Sequence, residues 1–287
     1  MPVVVAPMFL VSGPDLVVAA ARAGAVGAFP TLNARTPEIL DSWLQDIAAR
    51  SAGAPGAYAA NLILHASNPR RNVDLDLVIQ HQVPWVITSV GSPAPVVERV
   101  RAYGGRVLAD VATVRHAKKA MDAGVDVLVL LTAGAGGNTG WLNPFAFVEE
   151  VRGFWDGPLA VAGGITTGRQ VRAVQVAGAD LAYVGTPFIA THESLAAEAY
   201  KRALCGAGAD DIVLTDAVTG IPANFLTSSL RDNGIMSADG SLLPRGSSDM
   251  ASWKTAWSAG HGVASVREIS SVAQRVEALR EQWLASR

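Results

Sequence analysis

The chain has almost no cysteine: Cys205 stands alone among 287 residues. That rules out an intrachain disulfide and any CxxC metal or redox site. Charge is sparse as well. Only 17% of residues are charged, and 23 basic against 25 acidic side chains leave a formal net charge of -2. Without a long basic run, the sequence offers no electrostatic footprint for nucleic acid. Long apolar runs are missing too, and none approaches the roughly 20 residues of a membrane span. The opening Met1-Pro2-Val3-Val4-Val5 carries neither a basic leader nor a cleavable apolar stretch. These absences leave a soluble, cytoplasmic enzyme acting on a small-molecule substrate as the expected class. Neither a nucleic acid nor a membrane is expected as a partner, and homo-oligomerisation stays open.

What the chain does have is hydrophobic residues, 50% of the total, in short runs. A globule of this size buries roughly 70–75% of its unfolded surface, enough for a substantial core. Eight apolar runs read as strands, at 3–5, 26–29, 57–64, 85–88, 106–110, 126–131, 158–162 and 180–184. Stretches of helical period lie between them, at 14–23, 36–50, 75–82, 94–103, 113–123, 144–154 and 167–177. Near-continuous apolar strands separated by helices indicate a parallel sheet covered on both faces. Regular spacing, with glycine loops after the seventh and eighth strands, favours closure into a (β/α)8 TIM barrel over an open doubly wound sheet. Residues 1–209 form the expected barrel, with 195–205 as its last outer helix. Residues 210–266 mix Gly, Pro, Ser and Asn with aromatics and are too long for an ordinary loop. The stretch 210–287 therefore reads as a C-terminal cap segment ending in an amphipathic helix over 267–287.

The strongest local signal is Leu159-Ala160-Val161-Ala162-Gly163-Gly164-Ile165-Thr166, an apolar strand ending in paired glycines before a helix. Gly163 and Gly164 let backbone N–H groups approach an anion, and the helix dipole adds to the attraction. Tyr183-Val184-Gly185-Thr186 repeats the device after the eighth strand and adds a hydroxyl. Either loop alone is equally a tight turn; the succession of two favours a phosphate. The loop after strand six, 132–140, contains Ala133, Gly134, Gly136, Gly137 and Asn138. It suits a flat ring lying against backbone, or simply a flexible connection. Ala6-Pro7-Met8 ends strand one, where Met8 either pads a ring or packs the barrel. Asn61, an amide among apolar neighbours, needs partners; a heteroaromatic edge or a structural backbone bond would supply them.

In this order along a barrel, the motifs resemble the nitronate monooxygenase family, formerly called 2-nitropropane dioxygenases. They resemble more distantly the FMN-dependent enoyl-acyl-carrier-protein reductases. The resemblance covers nearly the whole chain. Its carriers are Ala6-Pro7-Met8, residues 27–33, Asn61-Leu62, residues 133–140, residues 162–165, residues 184–186, Thr219-Gly220 and residues 257–260. It implies FMN as the cofactor, with Ala6, Pro7, Met8 and Asn61 near the isoalloxazine and Asp110 as a further contact. It places Gly163, Gly164, Gly185 and Thr186 on the 5′-phosphate. Ala133, Gly136, Gly137 and Ala162, in the same loops, complete the expected cofactor site.

The chain departs from the family at one position. Typical relatives read Gly-Gly-His in the glycine-rich loop, the histidine being the catalytic base, and here Asn138 takes its place. An imidazole can accept a carbon-bound proton near neutral pH. A carboxamide cannot, although it can donate hydrogen bonds to a nitro or carbonyl oxygen. His65, just past Asn61, is the first candidate for a substitute base, and His192 the next. His81 and His116 are expected on outer helices, and His261 in the cap. Phe225, Trp253 and Trp257 either wall an apolar pocket or pack on the rim, with Asn224 and Ser228 as polar contacts.

The expected reaction is oxidation of alkyl nitronates with O2 to a carbonyl compound and nitrite. One rival is an NAD(P)H-dependent FMN reductase of a quinone or activated alkene. Another is a flavin-binding protein whose catalysis is weak or lost through Asn138. The last is a flavin-free isomerase or aldolase gripping a phosphorylated sugar, for which Asp110 is the readiest strand-end carboxylate.

Overall fold

The computed structural model describes residues 1–218, 220–242 and 255–286. Alternating apolar runs give β1 (Val3–Val5), β2 (Val26–Pro30), β3 (Ala57–Ile63), β4 (Trp85–Ser89), β5 (Arg106–Val111) and β6 (Val127–Leu131). β7 (Gly137–Asn138) lies in the glycine-rich loop, and β8 (Leu159–Ala162) and β9 (Leu181–Val184) complete the run. All but β7 are parallel and close into one eight-stranded barrel, β1 pairing with both β2 and β9. The (β/α)8 TIM barrel expected from the spacing is the fold.

Seven helices follow their strands: α1 (Pro14–Arg22), α2 (Pro37–Arg50), α3 (Arg71–Gln80), α4 (Ala94–Arg101), α5 (Val114–Asp122), α6 (Pro144–Arg152) and α7 (Gly168–Val176). Their starts are written locally. Thr36, Thr113, Asn143 and Thr167 each accept a first-turn N–H, and Gln170 completes a capping box with Thr167. The third helix begins at Arg71, earlier than the period suggests. Asn68 Oδ1 accepts the Arg70 N–H, and Arg70 pairs with the buried Asp74 at 2.8 Å, which sets the first turn.

Strand alternation sends side chains into two cores. Outward residues such as Phe29, Leu62, Val86, Leu128 and Val184 meet Leu16, Leu40, Leu44 and Phe147 of the helices. Each fully buried Leu or Phe contributes about 1.5–3 kcal/mol. Inward residues Val4, Ala28, Ala59, Ile87, Leu108, Val129 and Ala160 fill the barrel. Two positions further along each strand lies the uppermost inward layer, at the C-terminal mouth where barrels build their sites.

Beyond β9 come α8 (Thr186–Ile189), α9 (Glu198–Cys205), β10 (Ile212–Thr215), β11 (Ala223–Leu226), α10 (Thr227–Asp232) and, after the undescribed stretch, the final helix α11 (Val272–Leu284). The helix expected to end the outer ring is not the one that does. Tyr200 and Leu204 of α9 pack with Val11, Ile189, Leu226, Ala259 and Val263, away from the barrel wall. The ring is completed by α11, whose Val272, Val276 and Leu279 enter the outer core. Gln282 accepts the Gly168 N–H at 2.9 Å, and Arg280 reaches the Ala23 carbonyl at 2.9 Å. Among the described residues, no helix is long and apolar enough to cross a membrane.

Candidate active site

Glycine geometry dominates the side of the mouth formed by β8 and β9. Gly163 and Gly164 have φ of +134° and +67°, values that side-chain-bearing residues rarely adopt. A Cβ on Gly163 would collide with Thr132 Oγ1, whereas one on Gly164 would enter open space. The Gly164 N–H is used internally, on the Gly134 carbonyl at 3.2 Å. The N–H groups of Gly163, Ile165, Gly185 and Thr186 make no hydrogen bond among the described residues. Adjoining strand ends thus offer several unspent backbone donors, the requirement for holding a phosphate. Gly185 faces Met8 and Ala6, so the first strand's loop borders the same space.

That first loop is held from behind. Asn33 gives its Nδ2 protons to the carbonyls of Met8 (2.9 Å) and Ser12 (2.8 Å) and accepts the Leu10 N–H at 2.9 Å. Leu10 has φ +62°, a strained conformation for a non-glycine residue that this clamp maintains. Asn33 thereby positions Met8.

A side-chain network forms the floor of the mouth. The inward positions at the C-terminal strand ends include Ala6, Pro30, Asn61, Ser89, Asp110, Leu131, Ala162 and Tyr183, and four of these carry polar side chains. Asn61 Nδ2 donates to the Ile87 carbonyl (3.2 Å) and to Ser89 Oγ (2.7 Å). Ser89 Oγ donates to Asp110 Oδ2 at 2.5 Å. Because Ile87 O can only accept, the amide orientation follows from the network. Asn61 Oδ1 makes no hydrogen bond among the described residues and is left for a ligand. Burial pushes the Asp110 carboxyl up to about 7, with the Ser89 and Tyr183 hydroxyls pulling it back. Burial also holds the Tyr183 phenol well above its usual value, with Asp110 adding to the rise. The two groups sense each other although Asp110 Oδ1 and Tyr183 Oη fall short of hydrogen-bond geometry.

The glycine-rich loop is built into the cap. β7 pairs with β11, Asn138 opposite Ala223 and Gly137 opposite Asn224, and β11 pairs with β10. The Asn224 Nδ2 donates to the Ala135 carbonyl at 2.8 Å, and Thr132 ties the loop's start to the Ala162 carbonyl through N–H (3.0 Å) and Oγ1 (2.7 Å). Ala133 is exposed and Gly136 packs on Ala259 and Gly260. Asn138 is exposed, and its carboxamide makes no hydrogen bond among the described residues. From the other side, Gly260 N–H donates to Thr186 Oγ1 (2.9 Å) and His261 N–H to the Gly134 carbonyl (3.0 Å). Any side chain on Gly260 would meet Gly134 O at 2.5 Å, so this crossing requires glycine.

The histidines are dispersed. His65 is exposed and bonds within its own turn, to Ser67 Oγ at 2.7 Å. His192 lines a flank groove of about 590 Å³ with Asp15, Arg22, Arg50 and Glu193, on the outer ring. His81 pairs with Asp41 at 2.7 Å, and His116 is exposed on α5. His261 sits over Gly134. Phe225 is buried with Leu230, Ile235 and Met236, and Trp257 stacks on Tyr200 at 5.2 Å, so both pack the cap. Asn224 Nδ2 is used on the glycine-rich loop while its Oδ1 is buried without a hydrogen bond among the described residues, and Ser228 is exposed on α10. Trp253 and Thr219 lie outside the described residues. The sequence reading missed Ser89, which it left beyond the end of strand four, and the inward direction of Tyr183. Counting by two from Ile87 would have found Ser89, and alternation with the outward Ala182 and Val184 would have turned Tyr183 inward. No cluster of three metal-ligating side chains occurs among the described residues.

A model of the nitronate monooxygenase family matches residues 36–236. A curated relative from Rhodococcus jostii (strain RHA1), (3aS,4S,5R,7aS)-5-hydroxy-7a-methyl-1-oxo-octahydro-1H-indene-4-carboxyl-CoA dehydrogenase, is 27% identical over 80% of this chain and 63% of its own. The nitroalkane oxidase of Streptomyces ansochromogenes superposes with a TM-score of 0.85 at 25% identity, covering 100% of this chain and 96% of that one. FabK from Thermotoga maritima gives 0.83 at 24% identity over 99% and 93% of the two chains, a likeness of fold. The matches span only 46 to 64% of the length of the first curated relatives.

Proposed function

The chain belongs to the nitronate monooxygenase family, and from that premise we propose that it is an FMN-dependent oxidoreductase converting alkyl nitronates and O2 to a carbonyl compound and nitrite. One observation carries the reading: the unspent N–H groups of Gly163, Ile165, Gly185 and Thr186 at adjoining strand ends, beside a floor that leaves Asn61 Oδ1 as an acceptor. These residues fit a phosphate at one end of a ligand and a ring N–H at the other. Ala6, Pro7, Met8 and Leu131 supply the apolar surface between. When bound, the flavin supplies the electron-transfer chemistry between substrate and O2.

Asn138 fits a substrate that has already lost its α-proton. Its carboxamide donates hydrogen bonds to nitronate oxygens and needs no basic nitrogen. The expected outcome is yellow purified protein that releases nitrite from pre-ionised ethylnitronate. Freshly dissolved nitroethane should turn over roughly 10²–10⁴-fold more slowly, the usual worth of a general base. Equal rates on the two forms would refute the role given to Asn138, and colourless protein would refute the cofactor.

The dehydrogenase named among the relatives supports a second reading, electron exchange with a nicotinamide. Anaerobic mixing with NADH or NADPH separates the two, since rapid flavin bleaching favours the reductase.

A further inference from the structure

The hydrogen bonds of the floor have one possible direction. The Ile87 carbonyl accepts from Asn61 Nδ2, whose other proton goes to Ser89 Oγ. Ser89 has one proton, and it goes to Asp110 Oδ2 at 2.5 Å. Oδ2 is therefore an acceptor, and a proton on the carboxyl belongs on Oδ1. Oδ1 is buried without a hydrogen bond of its own, and so is the neighbouring Tyr183 Oη. Two buried polar atoms left facing each other at the mouth need a shared proton or a ligand. Ser89 on β4, Asn61 behind it on β3 and Tyr183 on β9 are the polar groups around the carboxyl. Leu108 and Val129 lie below, and no charged side chain among the described residues contributes to its ionisation.

We propose that Asp110 and Tyr183 are the proton-holding pair of this site: Asp110 Oδ1 is the atom that carries the proton when the carboxyl is neutral, and the carboxylate form takes one up there when the flavin site gains negative charge. The inference rests on the flavin reading above. Asp110 acts through the charge of the cavity and is a positioning residue, since neither buried atom is exposed to substrate. When an external reductant such as dithionite delivers two electrons to the flavin, the added negative charge raises the proton affinity of the Asp110 carboxylate. One proton moves from water to Oδ1, forming a single O–H bond, and the hydroxide left behind is neutralised by buffer. Tyr183, already protonated, then accepts the hydrogen bond from Oδ1.

The test has two readouts on the purified protein as isolated. Infrared difference spectra across about pH 5 to about pH 9 should show a carboxylic-acid band titrating near neutrality. That band should be absent from Asp110→Asn and titrate at higher pH in Tyr183→Phe, which loses a partner that lowers the carboxyl. Flavin midpoint potentials over the same range should show the wild type taking up one more proton per two electrons than Asp110→Asn, through the window around neutrality. A band that survives in Asp110→Asn, or does not titrate, overturns the assignment. Identical pH slopes in wild type and Asp110→Asn overturn the charge linkage. If Asp110→Asn fails to fold, the Tyr183→Phe shift decides, and an unmoved band counts against the pair. A titrating band in protein that holds no flavin refutes the functional reading and the charge linkage, leaving the position of the proton established.

Discussion

The β8–β9 loops and the floor of the mouth face the same space but are made of different materials. At the loops, Gly163, Gly164 and Gly185 contribute backbone alone, and recognition depends on which N–H groups are left unspent. At the floor, Asn61, Ser89, Asp110 and Tyr183 contribute side chains, and recognition depends on which atoms neighbouring side chains have already used. Backbone donors carry a fixed partial charge at any ordinary pH. The floor contains a carboxyl that burial pushes up to about 7, so its charge is conditional. In the proposed reading one side grips and the other responds.

The largest effect should come from the conditional side. Asp110 has a folded pKa raised from 3.8 to about 7 by burial. The sign follows: above pH 3.8 the unfolded chain binds fewer protons there than the folded one, so wild-type stability falls as pH rises to about 7. Asp110→Asn should remove that fall, gaining up to about 4 kcal/mol relative to wild type between about pH 4 and about pH 8. Denaturant titrations at both pH values check it, and parallel pH curves would erase the distinction between floor and loops.

The gripping side should break through geometry. Gly163→Val forces a branched side chain onto φ +134° and against Thr132 Oγ1, costing roughly 3 kcal/mol. Flavin should be lost at every pH, read by the visible spectrum and the melting temperature. Retention of flavin would remove the loop's claim to the phosphate.

Ser89→Ala sharpens the contrast. It leaves Asp110 Oδ2 without its donor and Asn61 Nδ2 with only the Ile87 carbonyl, a loss of about 1–3 kcal/mol. It also removes a bond that lowers the carboxyl, so the stability loss with rising pH should move to higher pH. Denaturation curves that stay at the wild-type pH would show that Ser89 does not set the carboxyl. The smallest effect belongs to the join between cap and barrel. Asn224→Ala deletes the donor to the Ala135 carbonyl, about 1 kcal/mol, and hydrogen exchange should quicken in residues 135–138 while the rest of the barrel is unchanged.

The loops were easier to read in advance than the floor for the same reason that they differ. Paired glycines between an apolar run and a helix are a local pattern, and Gly163-Gly164 and Gly185-Thr186 stand in sequence as they stand in the fold. Ser89 lies one residue past the apolar run of its strand and carries no local mark. Tyr183 reads as one more large residue in an apolar strand. The cap was less legible still: β7 is only Gly137 and Asn138, and nothing near them announces that Ala223 and Asn224 will pair with them. The outer helix completed by α11 was similarly hidden, because two amphipathic helices compete for one place and only packing against α1 and α7 decides.

By itself the sequence determined the eight barrel strands and the seven helices between them, the helix starts at Thr36, Thr113, Asn143 and Thr167, and the glycine turns at the mouth. All of these are set within a few residues by periodicity, capping and backbone freedom. The placing of Asn138 where typical relatives read a histidine came with the resemblance and stays a proposal. Only the tertiary structure decided that Asn61, Ser89, Asp110 and Tyr183 meet at the mouth, since barrel closure brings together strand ends that are distant in sequence. It alone decided which protons those groups have spent, because a hydrogen bond's direction depends on partners supplied by other strands. The glycine loops that the sequence marked for a phosphate are the proposed grip, and the carboxyl beside them became distinctive only when closure buried it.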